Sequence, residues 1–268
     1  MSLPASDLTK KPDMRTTMEL GAVLPETAEV RDDHLFVGGV DMVELAHKEG
    51  TALYVMDEAD IAQMIEWYAA AAVRAQQAGF DAVEVHCAHN YLIAGFLSPY
   101  FNQRTDGYGG SYENRTRLMR ELLTEVRRRV GPDYPIWVRL DAEEMHTPGG
   151  ITLEEALQTA RLCEQLGVNA ISVSSYARLT RGSDFTDAPI PQKSGAYLEF
   201  ANAFKRVVRI PIIVAGRIEP EAGAAAIGAG EADFIAMGRK LLADPELPNK
   251  LLAGQPEAIR PCIYCYAC

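Results

Sequence analysis

The segment Val83-Glu84-Val85-His86-Cys87-Ala88-His89-Asn90-Tyr91-Leu92-Ile93 follows the turn Ala78-Gly79-Phe80-Asp81 and sets the pattern for the chain around it. Ala82 to Val85 reads as a short apolar strand. Its carboxyl end carries two histidines, three residues apart, and a tyrosine two further on. In a barrel of alternating strands and helices, that end is where chemistry sits.

Outward from this strand, the same unit repeats. Upstream, Ile61, Met64, Ile65, Tyr68, Ala69, Ala72 and Val73 recur at helical spacing; Asp60 is a candidate cap and Gly79 a stop. Downstream, a long loop leads to a helix from Glu113 to Val130. Strand 136–140 is followed by helix 153–166, with Thr152 as N-cap and Glu155 completing a capping box. Strand 170–173 precedes helix 196–207, strand 212–214 precedes helix 220–227, and strand 234–237 precedes helix 239–243. Each strand is a near-continuous apolar run, as strands buried on both faces of a parallel sheet are. The fold class is α/β, of (β/α)8 TIM-barrel type. It reads as incomplete, because five strands do not close a barrel that needs eight.

The chain has 268 residues, 48% apolar and 24% charged, which is ordinary for a globular protein. A net charge of −11 argues against nucleic acid as a partner, since phosphate backbones require a basic face. It leaves room for a local anion site built from backbone amides and an arginine. The first residues lack the apolar core of a signal peptide, and no window is apolar enough to span a membrane. A cytoplasmic protein with a small-molecule substrate is expected, and homo-oligomerisation is left open. Cys87 and Cys163 lie in apolar surroundings and read as inert thiols. Cys262, Cys265 and Cys268 cluster as metal or cluster ligands do, more than as disulfides.

Residues 1–33 read as an irregular lead-in and 34–60 as an atypical strand–helix–strand segment. The latter resembles the N-terminal segment of diaminopimelate decarboxylase, a pyridoxal-phosphate enzyme. No lysine lies between Lys48 and Lys193 to supply that family's Schiff base, so a decarboxylase is not expected. Residues 61–260 read as the β/α barrel portion, and 261–268 as the start of a cysteine motif.

Several motifs occur in a fixed order: Gly79-Phe80-Asp81-Ala82-Val83-Glu84-Val85-His86, Asn90-Tyr91-Leu92, Phe96-Leu97-Ser98-Pro99, Asn102-Gln103-Arg104-Thr105-Asp106 and Tyr108-Gly109-Gly110. Glu113-Asn114-Arg115, Val138-Arg139-Leu140, Ala215-Gly216-Arg217-Ile218, Met237-Gly238-Arg239 and Ala243-Asp244-Pro245 continue the series. On these motifs, residues 62–268 resemble the C-terminal part of the barrel of the old yellow enzyme family, in its 2,4-dienoyl-CoA reductase-like branch. The resemblance implies an FMN-binding (β/α)8 barrel with ene-reductase activity and NAD(P)H as electron source. It starts at the helix before the family's fourth strand. Residues 1–60 therefore stand where the family's first-strand flavin contacts and third-strand glutamine would be.

The resemblance also implies roles. His86 and His89 would bind the carbonyl of an α,β-unsaturated substrate, with strand capping as the ordinary alternative. Zinc on His86, Cys87 and His89 is disfavoured, since neighbours on a strand point oppositely. Tyr91 matches the proton donor; a phenol with an ordinary pKa of about 10 remains protonated at neutral pH. Its alternative is core packing. Arg139 would face the flavin where negative charge builds on reduction, or else pair with Glu84 or Asp141. Gly216-Arg217 and Gly238-Arg239 would hold the flavin phosphate, at the loops where such barrels bind phosphate. Cys262, Cys265 and Cys268 resemble the start of the branch's [4Fe–4S] motif, with the second and third cysteines one residue closer than usual. The other reading is a non-catalytic, truncated or chimeric barrel fragment with weak or no flavin binding.

Overall fold

The computed structural model describes residues 56–177 and 194–264. Within them lies one five-stranded parallel sheet in sequential order: β1 (Val83–Cys87), β2 (Ile136–Met145), β3 (Ala170–Ala177), β4 (Ile212–Val214) and β5 (Phe234–Ile235). The helices are α1 (Glu58–Gln77), α2 (Leu92–Leu97), α3 (Tyr112–Arg115), α4 (Arg117–Val130), α5 (Leu153–Gln165), α6 (Leu198–Lys205), α7 (Pro220–Gly228), α8 (Arg239–Ala243) and α9 (Leu247–Leu252). Among the described residues β1 and β5 pair on one side only. Residues 1–55, which hold the lead-in and most of the atypical segment, lie outside the described residues, as do Cys265 and Cys268.

Register puts residues on faces. Val85, Val138, Ile171 and Ile212 are paired neighbours and all are buried. They share a core with Leu122, Cys163 and Phe204 of the helices that cover this side. The opposite face carries the row His86, Arg139, Ser172, Ile213 and Phe234, which corresponds to a barrel's interior. The strands thus bury one apolar row completely, while the row that carries His86, Arg139 and Ser172 is left to face the site.

Several details differ from the sequence reading; β3 runs on to Ala177, and β5 is only Phe234–Ile235. Helix α1 starts at Glu58, inside the segment read as atypical. Asp57, not Asp60, is its cap: Asp57 accepts from Ala59 and Asp60 amides, and Asp60 returns a bond to the Asp57 amide. The helix read as Glu113–Val130 is broken at Thr116, whose hydroxyl donates to Tyr112 and Glu113 carbonyls. At α5, Thr152 caps as expected, but the Glu155 carboxylate pairs with Arg115 Nη2 at 2.6 Å. Strand β2 runs on to Met145 through a register shift between Asp141 and Glu144.

Candidate active site

His86 is the last inward-facing residue of β1, and the chain turns immediately after it. His89 and Asn90 take left-handed conformations (φ 62° and 54°), which brings the backbone round so that Tyr91 caps α2. Such conformations are unfavourable away from glycine. Here the Asp141 carboxylate on β2 accepts the His89 amide at 2.5 Å and so holds the turn. Three rings gather as a result. His86 stands edge-on to His89 (centroids 5.1 Å apart) and to Tyr91 (5.0 Å).

The two imidazoles are neutral. Burial first, and the Arg139 charge second, hold His86 down at about 4 and His89 at about 3. The Ala88 amide donates to His86 Nδ1 at 3.2 Å. Nδ1 is therefore an acceptor, and the neutral ring carries its proton on Nε2. His89 Nε2 lies 2.6 Å from Ser174 Oγ and 3.8 Å from Asp141 Oδ1. An ion pair at that separation needs charge on both groups. Burial holds the His89 ring neutral and also raises Asp141, so the contact is not an ion pair.

Arg139 is the direct register neighbour of His86. Glu84, one alternative partner, instead accepts Trp137 Nε1 at 2.9 Å. Arg139 Nε is buried with no hydrogen-bond partner among the described residues. An orphaned buried guanidinium nitrogen is costly unless something else satisfies it, and the electron-rich edge of a flavin is chemically suited to do so.

The two glycine–arginine pairs follow β4 and β5 and are not equivalent. Gly216 has φ 121°, and a Cβ there would lie 2.6 Å from Tyr197 Cδ2. Gly238 has nothing within 4 Å of its Cβ position, so this turn is open to a ligand. Arg217 and Arg239 meet on one ring: their guanidinium carbons lie 4.1 and 5.5 Å from the Tyr264 centroid. The structure thus forms two groups at the carboxyl ends of the strands. His86, His89, Tyr91 and Arg139 lie by β1 and β2; Arg217 and Arg239 lie beyond β4 and β5.

Ser174, Glu144 and Tyr264 were not singled out from the sequence, and Asp141 was named only as a possible partner of Arg139. Strand alternation could have found two of them, since Asp141 follows Arg139 by two residues and Ser174 follows Ser172 by two. Cys262 is partly buried, and among the described residues no three His, Cys, Asp or Glu side chains could hold a metal ion. Cys87 and Cys163 are buried, and burial pushes Cys163 up to about 12, so both are unreactive thiols.

A parallel α/β sheet with imidazole, phenol and guanidinium groups gathered at its carboxyl ends is the arrangement of the (β/α)8-barrel class. The model of the NADH:flavin oxidoreductase / NADH oxidase family matches residues 18–258, which extends the match upstream of the motif-bearing part. A metal reductase of Desulforamulus reducens is 44% identical over 211 residues, covering 78% of this chain and 31% of the relative. A cinnamate reductase of Clostridium sporogenes is 35% identical over 249 residues, covering 87% of this chain and 35% of the relative. Among solved structures, a 2-naphthoyl-CoA reductase complex superposes with a TM-score of 0.73 at 34% identity, covering 79% of this chain and 32% of that one. The chain belongs to the NADH:flavin oxidoreductase / NADH oxidase family, the old yellow enzyme family. It spans about a third of the length of these relatives. None of its described helices is long and apolar enough to cross a membrane.

Proposed function

We propose that this chain is the FMN-binding portion of an ene-reductase-type oxidoreductase that draws electrons from NAD(P)H and reduces an activated C=C of an α,β-unsaturated carbonyl or thioester. The single observation that carries the reading is Arg139: a guanidinium beside His86 on the inner face, with a buried nitrogen left unsatisfied. Bound FMN would supply a hydride to one carbon of the double bond. The chain's own groups do the rest. The neutral His86 presents Nε2–H as a donor to the substrate oxygen, where negative charge develops as the double bond is reduced. His89, fixed by Asp141 and Ser174, shapes the same corner. The Tyr91 phenol gives its proton to the second carbon. Arg139 would hold the pyrimidine edge of a bound flavin, and Arg217, Gly238 and Arg239 would hold its phosphate.

The other reading, a barrel portion that does not retain flavin, is favoured by one observation: Phe234, on the inner face, is 57% exposed. Titration with FMN decides between them. The flavin reading expects quenched flavin fluorescence, a rise in melting temperature and retained visible absorption after desalting. No change in any of the three leaves the fragment reading.

A further inference from the structure

Beyond the last sheet element, Tyr264 sits between Cys262 and Cys265, yet its ring belongs to a different neighbourhood. The guanidinium carbons of Arg217 and Arg239 and the Lys240 Nζ lie 4.1, 5.5 and 5.5 Å from its centroid. The Glu219 carboxylate ties the group together, accepting from Tyr264 Oη at 3.2 Å and from Lys240 Nζ at 2.5 Å. An aromatic face attracts cations through its quadrupole, best when they are withdrawn from water. The Lys240 side chain is only 11% exposed.

The backbone is unusual on both sides of this contact. Arg217 (φ 51°) and Tyr264 (φ 52°) both occupy the left-handed region. They are the two residues of the closest stacked pair. A non-glycine residue is held there only where its surroundings over-determine it, and such outliers cluster at ligand clamps. The ring gathers three cations that would otherwise repel one another, and Glu219 balances one of them.

We propose that Tyr264 is a positioning residue for anion recognition: its ring orients Arg217 and Arg239 toward the flavin phosphate, and couples the cysteine-bearing segment to that site. This rests on the reading above that the two arginines take the phosphate. A freely rotating arginine loses rotamer freedom when it binds an anion, and a guanidinium already stacked has lost much of it. The coupling runs both ways, as linkage requires. A ligand that fixes the Cys262 segment raises flavin affinity, and bound phosphate steadies that segment.

Comparing FMN with riboflavin tests this, because the two differ only in the phosphate. Dissociation constants are measured by flavin fluorescence quenching for the unaltered chain, Tyr264→Leu, Tyr264→Phe and Arg239→Ala. Tyr264→Leu is expected to weaken FMN roughly tenfold, within what one cation–π contact supplies, and to leave riboflavin unchanged. Tyr264→Phe keeps the ring and is expected to retain most FMN affinity. Tyr264 lies outside the buried core, so the variants are expected to fold. An unchanged FMN-to-riboflavin ratio in Tyr264→Leu, with a changed ratio in Arg239→Ala, overturns the positioning role alone. An unchanged ratio in Arg239→Ala removes the phosphate assignment beneath it, and the positioning role falls with it. Equal weakening of FMN and riboflavin by Tyr264→Leu means a merely structural part and also overturns the proposal.

Discussion

Tyr91 is 38% exposed, with its ring edge-on to His86 and its backbone at the start of α2. That placement leaves the phenol reachable by substrate while the neighbouring imidazoles stay fixed. A proton donor acts only when the second hydrogen is delivered, so Tyr91→Phe should spare flavin reduction by NAD(P)H. It should slow reoxidation by an unsaturated substrate by about 10²–10⁴-fold, the range of general acid catalysis. Stopped-flow measurement of the two half-reactions checks this, and equal slowing of both removes the donor role. The trio His86, His89 and Tyr91 was legible in the sequence because its three members are local, within one strand end and one turn. Its support was not. Asp141 and Ser174 come from β2 and β3, and only parallel register carries them to His89.

The two glycine–arginine elements look alike in the sequence and differ in the fold. Alanine at Gly216 must take φ 121° and place its Cβ 2.6 Å from the buried Tyr197 ring. Overpacking of this kind costs about 1–3 kcal/mol, and the positive φ adds to it. At Gly238, φ is −95° and a Cβ meets nothing within 4 Å. Gly238→Ala should leave stability within about 0.5 kcal/mol. Urea unfolding of both variants checks the contrast; equal destabilisation refutes it. Other elements show what a pattern can carry. The five strands were legible because residues buried on both sides read as apolar runs. The far half of β2 was not, since Asp141, Glu143 and Glu144 break the run, and pairing with Ser174 and Tyr176 extends the strand regardless. Helix α2 was read as loop. All six of its residues are buried, so it has no amphipathic period to detect. In the triple arginine 127–129, which a run of charge at a helix end would leave to solvent, Arg127 ties the end of α4 to the carbonyls of Gly131, Tyr134 and Gly167.

At the scale of the whole molecule, three buried groups and the half-buried His86 around β1 and β2 govern how stability varies with pH. Burial raises Asp141 well above the usual carboxylate range and Glu144 from 4.5 to about 7. It lowers His86 and His89 from 6.5 to about 4 and about 3. The signs are opposite. A raised acid keeps its proton in the fold after the unfolded chain has lost it. Its contribution is full below the unfolded value and is lost as pH rises through the folded one. A lowered histidine contributes fully above its unfolded value of 6.5 and loses that as pH falls toward the folded value. Between 4.5 and 6.5 the two pairs offset each other, and above 6.5 only the acids still titrate, so stability should decline from there toward alkaline pH. Glu144 isolates one contribution. Its Oε2 accepts from Ser98 Oγ at 2.6 Å and from the Ile151 amide at 2.9 Å, so a glutamine oxygen can keep both bonds. Glu144→Gln removes the titration. Relative to the unaltered chain, its unfolding free energy should rise by roughly 2–3 kcal/mol between about pH 5 and about pH 8, at about 1.4 kcal/mol per pKa unit. Urea unfolding at the two pH values measures the difference. A difference that does not move with pH would show that the Glu144 carboxyl is not held protonated by burial, and that the β2 end is wetter than its packing implies.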